Sequence, residues 1–118
     1  MKTPNQFPAI FLWREQIDFR KSINGLSALV QEEMKLNPYS DSLFVFCCRR
    51  RKRIKILYWD RTGFALWYKR LEEDRFPWPR LQDMEVVEIN SREMEWILEG
   101  IDIWKIKPHE DKKYSTTC

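Results

Sequence analysis

The chain has 118 residues, 43% of them hydrophobic and 14% aromatic, with 21 Lys or Arg against 18 Asp or Glu for a net charge of +3. That length suits one domain around one compact core. It excludes a helical bilayer span, since no apolar run nears the roughly 20 residues that one needs, and Met1 to Pro8 carries no signal-peptide apolar stretch, so the expected location is cytoplasmic.

Ile10 to Trp13 is a short apolar run that reads as a strand. Beyond it, Phe19, Ile23, Leu26, Val30 and Met34 recur every three to four positions, the period of a helix with one buried face. Asp18 stands where an N-cap is expected, and Asn37-Pro38 ends the pattern. Gly25 inside this helix costs about 1 kcal/mol relative to Ala, which points to close packing against a sheet. Leu43 to Cys48, Ile54 to Trp59 and Phe64 to Leu71 read as strands with short connections, hence as an antiparallel meander. Alternation along them is weak. Phe44, Phe46 and Cys48 face one way and Leu43, Val45 and Cys47 the other, so the sheet is covered on both faces or offers an aromatic surface to a partner.

Arg75 to Pro79 follows as a proline-punctuated turn, and Glu85 to Ile89 as another strand. Asn90, with Glu93 three residues on, predicts a capping box for a second helix whose stripe is Met94, Ile97, Leu98 and Ile101. Gly100 falls near its C-terminus. The expected fold is α+β: a single domain, mainly antiparallel sheet, with a three-stranded meander, flanking strands and two principal helices. Residues 1–107 form the globular unit, and 108–118, polar and containing Pro108, read as a mobile tail.

Charge is distributed unevenly. Arg49, Arg50, Arg51, Lys52, Arg53, Lys55, Arg61, Lys69 and Arg70 stand against Asp60 alone between positions 49 and 70, a local balance of +8. Cations this dense repel one another and favour a polyanionic partner. Arginine suits the task because its planar guanidinium bonds phosphate oxygens in pairs and stacks on bases. These nine residues are the candidate nucleic-acid contacts, with Arg49 to Arg53 at the tip of a hairpin. Interleaved rings, Tyr58, Trp59, Trp67, Tyr68 and Trp78, are candidates for stacking or for a partner surface. Competing readings are a solvated loop, or neutralisation by Glu72, Glu73 and Asp74. Arg20 and Lys21 read equally well as a solvated helix face.

Catalytic constellations are missing from the pattern. The sole histidine, His109, lies in the tail, and there is neither a CxxC pair nor a glycine-rich phosphate loop. Asp18, Asp41, Asp60, Asp83 and Asp102 show no clustering in the sequence. No catalytic residue, metal or cofactor is expected. Cys47, Cys48 and Cys118 form no disulfide framework, and the first two read as small buried strand residues.

Several stretches resemble one family: Asp18-Phe19-Arg20-Lys21-Ser22-Ile23-Asn24-Gly25-Leu26, Leu43-Phe44-Val45-Phe46 and Ile54-Lys55-Ile56-Leu57-Tyr58-Trp59-Asp60. Gly63-Phe64, Leu66-Trp67-Tyr68-Lys69-Arg70-Leu71, Arg75-Phe76-Pro77-Trp78-Pro79 and Leu98-Glu99-Gly100-Ile101-Asp102 continue the match in order, from about Ile10 to Trp104. The chain is similar to the TnpB accessory proteins of the insertion-sequence-66 bacterial transposons, which are unrelated to the RNA-guided nucleases of the same name. It departs from that pattern at Arg61 and Asp74, where the family often has Gly, and at Cys47-Cys48, which replace a polar or basic pair. The resemblance implies a role in moving the element beside a separate transposase, and no reaction. The expectation is therefore a non-enzymatic accessory protein of DNA transposition that binds DNA. Alternatives are a subunit that binds transposase without contacting DNA, and an RNA-binding regulator of element expression.

Overall fold

The computed structural model of the chain describes residues 9–79 and 84–105. The expected tail, with His109 and Cys118, lies outside them. Five strands form one sheet: β1 (Ala9–Trp13), β2 (Ser42–Cys47), β3 (Arg53–Asp60), β4 (Gly63–Arg70) and β5 (Val86–Ile89). Their spatial order is β4-β3-β2-β1-β5. The expected meander is β2-β3-β4, antiparallel throughout, and β5 pairs antiparallel with β1. Only β1 and β2 run parallel, because helix α1 (Ile23–Glu32) returns the chain between them. The whole is the expected α+β domain.

Every residue of β2 is buried, as its central place demands. One face of the sheet packs Phe44, Phe46 and Leu57 against Leu26, Leu29 and Val30 of α1. The other packs Val45, Cys47, Ile54 and Ile56 against Met94 and Ile97 of helix α2 (Ser91–Leu98) and against Phe76, Trp78 and Ile103. Apolar side chains on both sides of one strand are thus each covered by a different layer. The capping box at Asn90 and Glu93 forms as expected, and Gly100 takes φ 86 just past the helix end.

Three local expectations at the first helix fail. α1 begins at Ile23 with Ser22 in the N-cap position, and Asp18 does not cap it. The Asp18 carboxylate instead accepts the Arg20 backbone N–H at 2.9 Å, a local turn that competes with helix. Glu32 ends the helix before Asn37-Pro38 is reached, with Lys35 at φ 61 and the Leu36 N–H donating to the Val30 carbonyl at 3.0 Å. Gly25 lies under no strand: a Cβ there would meet only the Lys21 side chain, at 3.6 Å.

Candidate nucleic-acid interface

The turn joining β2 to β3 carries the basic run, and its backbone is held from three directions. The Cys48 N–H donates to the Arg53 carbonyl and the Arg51 N–H to the Cys48 carbonyl. From outside, the Leu71 N–H reaches the Lys52 carbonyl at 2.8 Å and the Phe76 N–H the Arg51 carbonyl at 2.6 Å. Arg51 sits at φ 61 to make this turn. With the main chain pinned, Arg49, Arg50 and Arg53 are exposed, and Arg51 and Lys52 half so. Among the described residues, none of these five forms an ion pair; the expected partner Glu72 bonds Arg70, at 3.0 Å.

Chain returning from β1 adds to the same end. The Ile17 N–H donates to the Cys47 carbonyl and Ile17 bridges Cys48 in parallel fashion, which lays residues 17–21 beside the turn. Arg20 there is 92% exposed and pairs with Asp18 at 2.7 Å. Its bonds hold the Asp18 carboxyl down at about 2. Gln16, Ile17, Asp18, Phe19, Arg20, Cys48, Arg49 and Arg53 line a hollow of about 360 Å³. The Arg53 side chain reaches Cys48 and Tyr68, which raise its pKa, and lies 5.1 Å over the Phe19 ring. Burial pushes the Cys47 thiol up to about 12. It pushes Cys48 up too, but the backbone N–H groups of Arg53, Lys52 and Arg50 outweigh it and leave that thiol lowered. Both cysteines are buried, as expected.

Other predicted cations have different fates. Lys55 is turned inward: its Nζ donates to the Phe19 carbonyl at 2.8 Å and the Lys21 carbonyl at 3.1 Å, and stands 4.7 Å from the Phe19 ring centroid. Burial, then repulsion from Arg53, lowers its pKa. Lys69 projects from the opposite face and donates to the Leu98 carbonyl at 2.8 Å, so it ties the last residue of α2 to the sheet. Arg61 occupies the β3–β4 turn at the far end of β3, roughly 23 Å away at about 3.3 Å per residue. Its φ of 51 is the left-handed conformation that favours Gly. Arg70 lies directly across from Arg53, at the basic end.

The rings separate likewise. Tyr58 and Trp78 are core residues, 7% and 3% exposed, and the Trp78 indole donates to the Trp13 carbonyl at 3.1 Å. Trp67 is half-buried against the α2 face. Trp59 joins Phe64 and Tyr39 in a cluster with centroids 5.0 to 5.2 Å apart, at the Arg61 end. Tyr39, Ser40, Asp41, Trp59, Asp60, Arg61 and Thr62 line a hollow of about 570 Å³ there. Only Tyr68, 49% exposed, lies beside the basic turn, 6.2 Å from Phe19. Phe19 and Tyr39 were not among the sequence-derived site residues. The signal for Phe19 was its place between Asp18 and Arg20, an Asp-x-Arg spacing that favours a turn over a helix.

Among the described residues no group of three or more His, Cys, Asp or Glu could hold a metal ion, and no helix is long and apolar enough to cross a membrane. The family model described as IS66 Orf2 like protein matches residues 8–108. Two proteins of Sinorhizobium fredii are similar. "Uncharacterized protein y4jC" is 32% identical over 104 residues, 88% of each chain, and "Uncharacterized protein y4hO" is 36% identical over 88 residues, 75% of each chain. No solved structure matches. On the match across nearly its whole length, the chain belongs to the IS66 Orf2-like family of transposition accessory proteins.

Proposed function

We propose that this protein is a non-enzymatic accessory factor of transposition, acting in the bacterial cytoplasm, that binds the phosphate backbone of DNA through the basic end of its sheet. One observation carries the reading. Exposed Arg20, Arg49 and Arg53 converge from two chain segments around a hollow whose one acid, Asp18, is already engaged by Arg20, and exposed Arg50 stands in the same turn. The backbone beneath them is hydrogen-bonded on both sides, so little ordering is needed when phosphates arrive. Arginines on a fixed backbone position a polyanion without reading its sequence.

The transposase of the same element is the expected protein partner. The Tyr39, Trp59 and Phe64 cluster, well away from the basic turn, leaves a separate surface for it. Salt dependence of DNA binding is the test. Purified protein should bind duplex DNA at low salt, with log affinity falling by roughly 0.9 per phosphate contact for each decade of salt. Adding transposase should favour element-end DNA over unrelated DNA. Protein that binds no nucleic acid at low salt, yet binds transposase, would move the basic end to an acidic protein surface.

A further inference from the structure

We infer that the basic end is built for single-stranded DNA, with an unpaired base stacked on Tyr68; this rests on the nucleic-acid reading above. β4 is an edge strand, and Tyr68 stands on it directly across from Lys55. Arg53 and Arg70, the next opposed pair but one, face each other on the same side of the sheet. Glu72 already pairs with Arg70 at 3.0 Å, so of the two opposed guanidiniums it is Arg53 that forms no ion pair among the described residues.

Tyr68 is the exposed ring within reach of these guanidiniums, at 49%. It does not hang free. Phe19 backs it at 6.2 Å with planes inclined at 55°, Arg53 lies 5.1 Å from the Phe19 centroid, and Lys55 fastens the Phe19 carbonyl from beneath. A ring held in place by its neighbours, open to solvent and beside the Arg53 guanidinium, is a stacking platform next to a phosphate contact. In a duplex the base faces are already stacked on one another, so duplex DNA would use the cations and leave the ring idle. A single strand would use both.

The experiment compares four probes at one low salt concentration: oligo-dT, a duplex of equal length, oligo-U, and inorganic polyphosphate, which has charge without bases. Wild-type protein should bind oligo-dT most tightly. Tyr68→Ala should weaken oligo-dT binding by roughly 5- to 150-fold, the range for losing one base–aromatic stack. Duplex and polyphosphate binding should stay unchanged. Tyr68→Phe should keep the single-strand advantage, and Tyr68→Leu, which retains apolar bulk without a π face, should lose it even if Tyr68→Ala folds poorly. Equal affinity for duplex and single strand, or oligo-dT binding that survives Tyr68→Leu, overturns this inference and leaves the backbone-binding reading standing. Tighter binding of oligo-U than oligo-dT overturns the choice of DNA. Failure to bind any of the nucleic acids overturns both readings.

Discussion

At one end of β3 the chain turns through Arg49 to Lys52, and at the other through Arg61 and Thr62. The first turn is pinned to the rest of the fold by main-chain bonds from Leu71 and Phe76, and its side chains stand away from the core. The second is flanked by an aromatic cluster in which Trp59, Phe64 and Tyr39 contact one another. Cations occur at both ends, but only the first gathers them from separate chain segments. The difference teaches that a basic side chain stays available to a ligand only where no backbone acceptor takes it up. Lys55 and Lys69 are cations like Arg50, yet each ends on a main-chain carbonyl and fastens the fold.

The largest effect should separate the two ends directly. Replacing Arg49, Arg50 and Arg53 with Ala should lower the slope of log affinity against log salt by about 2–3 on duplex DNA. Arg61→Gly at the far end should leave that slope as it is and relieve the left-handed backbone at φ 51. Equal losses from the two variants, in salt titrations of DNA binding, would dissolve the polarity of the molecule.

Next comes the aromatic end. Trp59→Ala removes a half-buried ring from its cluster with Phe64 and Tyr39 and should cost about 2–3 kcal/mol in urea unfolding. Its salt slope should match that of the wild type. A destabilised variant that also loses slope would mean that the ends are coupled.

A smaller effect distinguishes fastening cations from contacting ones. Lys69→Met deletes the bond to the Leu98 carbonyl and should cost about 1 kcal/mol, less than a fully buried charged bond because the site is partly exposed. Arg50→Ala should stay within about 0.5 kcal/mol of wild type by the same unfolding measurement.

The smallest concerns Asp18. Its carboxyl titrates at about 2 rather than at its ordinary 3.8, because Arg20 bonds the ionised form. A folded-state value depressed in this way stabilises the fold above about pH 4, and the benefit drains as pH falls from 3.8 toward 2. The carboxyl resonance followed by NMR should show that midpoint, and Asp18→Asn should remove this part of the acid limb. A midpoint near 3.8 would mean that the turn beside the basic end is not held by this pair.

Much of the fold was legible. The weak alternation at Phe44, Val45 and Phe46 announced a strand apolar on both faces, though not whether both would be covered, and Asn90 with Glu93 announced the start of α2. The candidate site was legible only as a concentration of charge. Lys55 bonds carbonyls 34 and 36 residues away along the chain, and Lys69 one that is 29 away, so no local pattern could withdraw them from the list of contacts. The Phe19 period looked helical because i, i+4 spacing continues across Asp18 to Lys21, while the Asp18 carboxylate closed a turn that periodicity does not register.

From its sequence alone this protein had its strands, its capped second helix, its family and the excess of arginine near the middle of the chain. These follow from side-chain period, cap chemistry and ordered motifs, all set within a few neighbouring residues. Which cations and which rings stay on the surface was decided only by the tertiary structure. The pleat sends alternate residues of β3 and β4 to opposite faces, and the register sets Arg53 against Arg70 and Trp59 against Phe64. The two covering layers then bury Tyr58 and Trp78 and leave Tyr68 open. Exposure at each position depends on residues far away in the chain, and those meet only when the sheet is assembled.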